Sequence, residues 1–553
     1  MKRVAYFFLA ITFLYVSGIQ AQLLTRTAEI KEKSGIELGG FGNIIAGVDF
    51  DKDGRPEIYA VNTNAVDRPE EIIPRIYKFE LNPVTGKWDE VWSATAPINT
   101  QNTWPALTWG DLDKDGRPEI YWGVVNAIDP IVGGTYKDVA RILVYEYPGD
   151  KSDNMGVADG LGGFMPNAMT NILPGPGLNI RPVKFIIADP DKDGKDELIF
   201  CDRVPSMHIG VLSVSDIPNL GGGTEKWTVE FDGSTIPEIK ATGAKFDLAV
   251  LNGVIYTWDS SGRVVSVKFE AGAWKLVKVQ TSMNKIGSFK GTKVVDINKD
   301  GKNEILLADW FNNAKGAGAK VWLLQQDADT LKASELLDFE PMGAVRLSGA
   351  DAGDIDGNGK LDFIFGTRSE TNNTRRKAVF RLEYQSGPIG LAASYTASVV
   401  DSAYGAKPGD LDIIVVANVD GDKDDEIIYT QGYPRQDATN DRMPIIVLDR
   451  KYTVVSVEKL ADNIPTEFYL EQNYPNPFNP STQIKFGITE ASNIELKIYD
   501  ILGREVAVLI NNEFMNAGIY NVKFTAADLA SGIYIYRLTT GIHSISKKMQ
   551  LMK

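Results

Sequence analysis

The sequence predicts an all-β protein assembled from repeats, and three observations carry that prediction. Fifty-two glycines and 26 prolines in 553 residues supply many turns, which favours short strands over long helices. A nine-residue acidic pattern recurs six times. Each copy is followed closely by a short β-branched and aromatic run. At 43% hydrophobic and 10% aromatic, the chain can fill a large core, which excludes wholesale disorder. Its length fits roughly two to four domains, or one large repeat domain with an appendage.

The N-terminus has a basic start, Met1-Lys2-Arg3, an apolar run from Val4 to Val16, and small residues up to Ala21. This predicts a secretory signal peptide over 1–21. The apolar run is shorter than the roughly 20 residues a bilayer span needs. No later segment is long and apolar enough to span, so no transmembrane segment is expected in the mature chain. Cys201 is the only cysteine, which rules out an intramolecular disulfide and leaves stability to packing or bound ions. Following Leu198-Ile199-Phe200, it reads as a small buried residue. A zinc site or a Ser-His-Asp triad would have to use His208 or His543, the only histidines. Both stand in unremarkable polar surroundings, and no catalytic residue is assigned.

The repeated segments carry oxygen-bearing side chains at positions 1, 3, 5 and 9. They are Asp49, Asp51, Asp53 and Glu57; Asp111, Asp113, Asp115 and Glu119; Asp189, Asp191, Asp193 and Glu197. Asp296, Asn298, Asp300 and Glu304 follow, then Asp354, Asp356, Asn358 and Asp362, then Asn418, Asp420, Asp422 and Glu426. Glycine occupies position 6 in five of the six copies. Calcium takes about six to eight oxygens, and alternate residues of a tight loop can point at one centre. Glycine allows the positive φ that turns the chain around the ion. A single copy would read as an Asp-Gly surface turn; six copies point to calcium. Position 12, where an EF-hand has its bidentate Glu, is apolar or aromatic in every copy, from Ala60 to Tyr429. Asn298 and Asn358 lower the charge of the fourth and fifth copies, and Asn418 with Lys423 marks the sixth as decayed.

Loop starts are separated by 62, 78, 107, 58 and 64 residues. The longest gap contains Lys245 to Trp258, which reads as a unit that has lost its acidic loop. About seven units of four short strands describe a seven-bladed β-propeller, with a β-solenoid of shorter repeats as the alternative. The pattern D-x-D-x-D-G-x-x-D/E before an apolar strand resembles the FG-GAP/VCBS repeats of integrin-α-type propellers, over residues 22–455. The resemblance implies calcium held within the blades by the residues named above.

Residues 456–467 read as a linker to a C-terminal module over 468–553. Tyr474-Pro475-Asn476-Pro477-Phe478-Asn479-Pro480 fixes an extended entry that cannot be helix. Alternating strands at Gln483 to Ile488, Ile494 to Tyr499, Tyr520 to Phe524, Ile533 to Leu538 and Ser544 to Leu551 predict a small immunoglobulin-like β-sandwich. The segments QNYPNPFNPST, IYDILGREV, NAGIY, LASGIYIYRL and KKMQLMK resemble the type A sorting domain of type IX secretion substrates. That resemblance implies type IX machinery as a partner, and a secreted or outer-membrane surface location in a Gram-negative bacterium of the Bacteroidetes/Chlorobi kind.

Register along the second strands places Asp202, Arg203, Asp309, Trp310 and Arg368 together at one mouth, opposite the acidic loops. A mixed polar and aromatic rim of this kind suits a sugar or a peptide. Trp104 and Trp109, ahead of the second loop, are a further pair that reads as blade core. The expected function is a secreted or surface binding protein for adhesion or for glycan or protein capture. The alternatives are a polysaccharide lyase or hydrolase acting from rim carboxylates, and a purely structural surface protein. The net charge of −15 argues against nucleic acid as a partner. That charge sits in the repeats, whose windows hold 24 acidic and 10 basic residues against 49 and 48 elsewhere.

Overall fold

A computed structural model describes residues 24–552 apart from 35–36, 38–39, 64–71, 83–84, 99–101, 126–130, 133–134, 137–138, 173–179, 204–207, 260–261, 282–285, 311–318, 345, 369–377, 403–410, 412, 422–423, 431–443, 451–454, 462–464, 502, 504, 527–528 and 542. The expected signal peptide, 1–21, and the expected ligand Asp422 lie outside the described residues.

The strands that follow the acidic loops dictate the architecture. Glu57–Asn62, Glu119–Gly123, Glu197–Asp202, Glu304–Ala308, Asp362–Thr367 and Glu426–Thr430 are buried at every position. A strand without a polar face needs cover on both sides, and stacked neighbouring sheets provide it. Blade 1 comprises Phe41–Val48, Glu57–Asn62, Arg75–Asn82 and Lys87–Thr95. Blade 2 comprises Ala106–Gly110, Glu119–Gly123, Ile142–Glu146 and Ala168–Thr170. Blade 3 comprises Pro182–Ala188, Glu197–Asp202, Ile209–Ser215 and Lys226–Asp232, and blade 4 Lys245–Leu251, Val254–Asp259, Val264–Glu270 and Ala273–Gln280. Blade 5 comprises Thr292–Val295, Glu304–Ala308, Lys320–Asp327 and Thr330–Asp338, and blade 6 Leu347–Gly353, Asp362–Thr367, Ala378–Tyr384 and Tyr395–Ser402.

Blade 7 takes Ile413–Ala417, Glu426–Thr430 and Ile445–Arg450 from late in the chain, and its outer strand is Leu24–Ile30 from the start. Leu24 pairs with Arg450 and Ile30 with Ile445, so the first strand fastens the last sheet. Arg26 adds an ion pair to Asp401 of blade 6 at 2.8 Å, and the Tyr429 hydroxyl donates to the same carboxylate at 2.8 Å. The innermost strands of successive sheets pack on one another all the way round, and Phe41–Val48 touches both Ala106–Gly110 and Ile413–Ala417. The apolar cores lie between blades. Tyr59, Trp92, Trp122 and Tyr145 fill the space between blades 1 and 2. Phe339, Phe363, Phe365 and Phe380 do the same between blades 5 and 6.

Blade 4 is the unit without an acidic loop. Leu251 pairs with Val254 across the two-residue turn Asn252-Gly253, both at positive φ. Asn-Gly is the preferred sequence for such a tight hairpin.

The second compact unit contains Lys451–Lys553. One sheet runs Val455–Ala461, Gly518–Thr525, Ser481–Ile488, Tyr469–Leu470, and the other Glu505–Met515, Ser492–Asp500, Gly532–Thr539, Ser544–Leu551. Their inner faces share a core including Phe478, Ile484, Phe486, Ile494, Leu496, Val522, Tyr536 and Met549. The stretch expected as a linker, 456–467, is in part strand, because Val457 pairs with Val522 and Lys459 with Tyr520. The first unit accordingly ends at Arg450 rather than at residue 455. Glu505–Met515 is a further strand, and its register shifts against Ser492–Asp500 explain why its alternation is hard to read.

Candidate functional site

Each acidic loop joins the innermost strand of a blade to the next one outward, and its own backbone shapes it. In blade 1 the Asp53 and Gly54 amides donate to the two Asp49 carboxylate oxygens, both at 3.1 Å, and the Arg55 amide donates to Asp53 Oδ1 at 2.8 Å. Blade 3 repeats this with Asp193, Gly194 and Asp189 at 3.1 and 3.0 Å. Blade 5 repeats it with Asp300, Gly301 and Asp296 at 3.0 and 2.7 Å. Blade 6 repeats it with Asn358, Gly359 and Asp354 at 3.0 and 2.7 Å. The position-6 glycines Gly54, Gly116, Gly194 and Gly301 have φ between 85° and 90°. The position-4 lysines Lys52, Lys114, Lys192 and Lys299 are also left-handed, with φ between 59° and 63°.

The position-9 carboxylate reaches back into its loop. Glu57, Glu119, Asp362 and Glu426 each accept the position-2 amide, from Phe50, Leu112, Ile355 and Val419, at 2.7 to 3.1 Å. In blade 2, Glu119 Oε2 also accepts the Tyr121 hydroxyl at 2.9 Å. Its Oε1 is buried without a partner, as are Asp111 Oδ1 and, in blade 3, Glu197 Oε2. One oxygen each from Asp111, Asp113, Asp115 and Glu119 lies within 4.8 Å of the others, and Asp189, Asp191, Asp193 and Glu197 converge in the same way. Burial among these acids pushes Glu119 up to about 9 and Glu197 up to about 8. Four converging carboxylates with orphaned buried oxygens fit a hard divalent cation such as calcium.

The remaining loops differ. In blade 5, Asn298 donates its amide to Asp300 Oδ2 at 3.3 Å. In blade 7, Asn418 Oδ1 accepts the Gly421 amide at 2.7 Å, and Asp424 is buried beside Glu426. In blades 1 and 6 a basic side chain that sequence reasoning missed enters the acidic cluster. Lys78 Nζ lies 2.7 Å from Asp51, 2.9 Å from Glu57 and 2.7 Å from Glu80. Arg381 lies 2.6 Å from Asp362 and 2.7 Å from Asp356. The signal lay in the third strands, where an acid recurs in blades 1, 2 and 6 as Glu80, Glu146 and Glu383, each paired with position 9.

The expected rim is built differently from an open platform. Arg203, Trp310 and Arg368 do come together, through two aromatic residues. Arg203 lies over the Trp104 ring at 4.7 Å, and Arg368 lies over Trp104 at 4.5 Å and Phe289 at 4.2 Å. Trp310 packs on Phe289 at 5.8 Å and Phe246 at 5.3 Å. Arg203 and Arg368 are buried, because the Trp104 and Phe289 segments reach in from other blades and stack on them. Asp202 and Asp309 are also buried. Asp202 accepts the His208 amide at 2.8 Å, and Asp309 accepts the Gly287 amide and the Trp322 indole, both at 3.2 Å. These two carboxylates brace their own loops rather than a ligand surface.

At the other ends of the innermost strands lies a cavity of about 550 Å³, lined by residues of all seven blades. Ile45, Leu107, Ala188, Val250 and Val294 give it apolar walls, and Lys184, Lys293 and Asp351 are its charged lining. Lys184 pairs with Asp247 at 2.6 Å, and Lys293 pairs with Asp351. Trp109, expected in the blade core, is 45% exposed here and packs on Phe50.

Residues 49–122 match the FG-GAP-like repeat, and residues 472–552 match the secretion system C-terminal sorting domain. A comparison with the curated proteins finds no match. Among solved structures the chain is similar to the Pseudomonas aeruginosa periplasmic gluconolactonase PpgL, at 11% identity and a TM-score of 0.34, covering 63% of this chain and 86% of that one. It is also similar to the N-terminal domain of Nup159, at 6% identity and a TM-score of 0.37, covering 78% and 94%. A third likeness is to the Bombyx mori GH32 β-fructofuranosidase BmSUC1, at 10% identity and a TM-score of 0.29, covering 96% and 89%. None of these distant likenesses bears on ligand or chemistry. The ring of four-stranded sheets is a β-propeller that carries an FG-GAP-like repeat over 49–122, and residues 472–552 form a secretion system C-terminal sorting domain of the type IX kind.

Proposed function

We propose that this protein is a calcium-stabilised binding protein of the cell surface or the secreted fraction, and that it captures a glycan or protein ligand at the axial cavity beside the acidic loops. The observation that carries the reading is the cavity itself. It gathers residues from every blade, offers an exposed indole at Trp109, and has Lys293 and Asp351 in the same lining. A stacking ring near a few fixed charges is the usual make-up of a site for a sugar or a peptide end. The mouth holding Trp104, Arg203 and Arg368 is filled by its own cation–aromatic stacking, which favours the cavity over that rim.

Calcium would be held by the oxygens of blades 2 and 3, and more weakly by those of blade 5, where Asn298 replaces a carboxylate. In an exported chain with one cysteine, the ions would take the cross-linking role that disulfides have elsewhere. An N-terminal signal peptide and the sorting domain together would route the chain through the periplasm to the type IX machinery. Deleting 472–552 should then leave the protein in the periplasm.

Glycan and protein arrays probed with and without calcium test the binding function. Trp109→Ala is expected to weaken a genuine ligand about three- to tenfold through lost stacking. Unchanged affinity for every array ligand in both Trp109→Ala and Lys293→Ala would rule the cavity out.

A further inference from the structure

The six acidic loops have similar sequences, but the strand paired with each decides what faces it. Position 9 is Glu57, Glu119, Glu197, Glu304, Asp362 or Glu426, and the residue two places further along the second strand has a cross-strand partner on the third. In blade 1 that partner is Lys78, opposite Tyr59. In blade 2 it is Val144, opposite Tyr121, and in blade 3 it is Val211, opposite Ile199. In blade 5 it is Leu323, opposite Leu306. In blade 6 it is Arg381, opposite Ile364, and in blade 7 it is Val447, opposite Ile428. Two blades thus aim a cation at the loop from this one register position, and four place an apolar residue there.

Both cations are engaged. Lys78 is 1% exposed, and its ammonium bridges Asp51, Glu57, Glu80 and, at 3.0 Å, Asp153. The Arg381 guanidinium spans Asp362 and Asp356 and lies 3.3 Å from Glu383. The carboxylates of blade 1 split accordingly. Asp49, Asp51 and Asp53 form one triad and Asp51, Glu57 and Glu80 another, whereas positions 1, 3, 5 and 9 converge in blades 2 and 3. In blade 6 Asp354, Asp356 and Asp362 still converge, but the guanidinium sits on two of them. A calcium ion would need the position-9 oxygen that Lys78 or Arg381 already holds.

We infer that Lys78 and Arg381 are built-in substitutes for the metal, so blades 1 and 6 bind no calcium, and the ions go to loops whose register position is apolar. This rests on calcium being the loop ligand elsewhere in the ring. The ammonium and the guanidinium are ion-paired with the buried carboxylates at any calcium concentration, so these two blades keep their loop geometry when the others lose theirs.

Native mass spectrometry of the full chain in saturating calcium reads the number of tightly bound ions directly. Lys78→Met and Arg381→Met should each raise the count by one. Asp49→Asn and Asp354→Asn should leave the wild-type count unchanged, and Asp111→Asn paired with Asp113→Asn should lower it by one. The last two tests keep the inference falsifiable if a cation variant does not fold. Loss of an ion in Asp49→Asn or Asp354→Asn overturns it, and so does an unchanged count in a folded Lys78→Met protein. A wild-type count of zero would instead refute the calcium reading itself.

Discussion

Blades 1 and 2 carry nearly the same nonapeptide, DFDKDGRPE and DLDKDGRPE, and differ at one apolar position. They do not carry the same site. In blade 1 a buried lysine spans Asp51, Glu57 and Glu80. In blade 2 the corresponding position is Val144, and Glu119 is left with an orphaned oxygen in a cluster of four acids. The difference shows that a loop motif supplies ligands but a neighbouring strand decides whether they are free. A buried acidic cluster has to be neutralised, and either an internal ammonium or an external ion can do it.

The comparison can be broken in several ways. The largest effect is expected for Lys78→Met in EDTA, where Asp51 and Glu57 lose the buried ammonium that spans them and stability should fall by about 3–5 kcal/mol. Denaturant titration should show part of that loss, about 1.4 kcal/mol at tenfold excess over the dissociation constant, recovered in calcium; an equal loss in both conditions would mean the loop cannot take an ion. Next comes chelation of the wild-type protein. Each site adds about 1.4 kcal/mol at tenfold excess over its dissociation constant, so blades 2 and 3 together should give about 3 kcal/mol and a clear drop in Tm. A melt unchanged by EDTA would remove calcium from the account.

Val144→Lys sharpens the contrast by giving blade 2 the chemistry of blade 1. It should cost one bound ion and cut the calcium-dependent part of the stability by about 1.4 kcal/mol. The smallest effect is expected for Asp49→Asn, which keeps one side-chain oxygen for the loop amides. Its stability change should stay within about 1 kcal/mol and be the same with and without calcium. A calcium-dependent difference would place an ion in blade 1.

Much of this was legible in the sequence because it is local. The acidic loops declare themselves by spacing within nine residues, and the strands after them by unbroken apolar runs. The loop-free unit at Lys245 to Trp258 is found where the gap between loops predicts it. What was not legible depends on register or on reach. Lys78 lies 21 residues beyond Glu57, and only the pairing of Tyr59 with Lys78 aims it at the loop. Arg203 and Arg368 looked exposed because they follow strand ends, yet Trp104 and Phe289 arrive from other blades to cover them. The stretch 456–467 reads as linker in the sequence because the strand that pairs with its first residues, Gly518–Thr525, lies far along the chain.

The fastening of blade 7 by Leu24–Ile30 has a kinetic consequence. Thr27 hydrogen-bonds the Val447 carbonyl across 420 residues of chain, so the contact that shuts the ring is among the most non-local in the molecule. Closing so long a loop costs entropy that only the finished ring repays. Blades 1 to 6 can each pair their own four strands as they appear, but blade 7 is short of its outer strand until the chain's beginning returns. Until then Ile445–Arg450 exposes an unpaired edge, a ready point for pairing with another chain. In an open ring that edge would let aggregation compete with folding, and the return of the first strand would remove it.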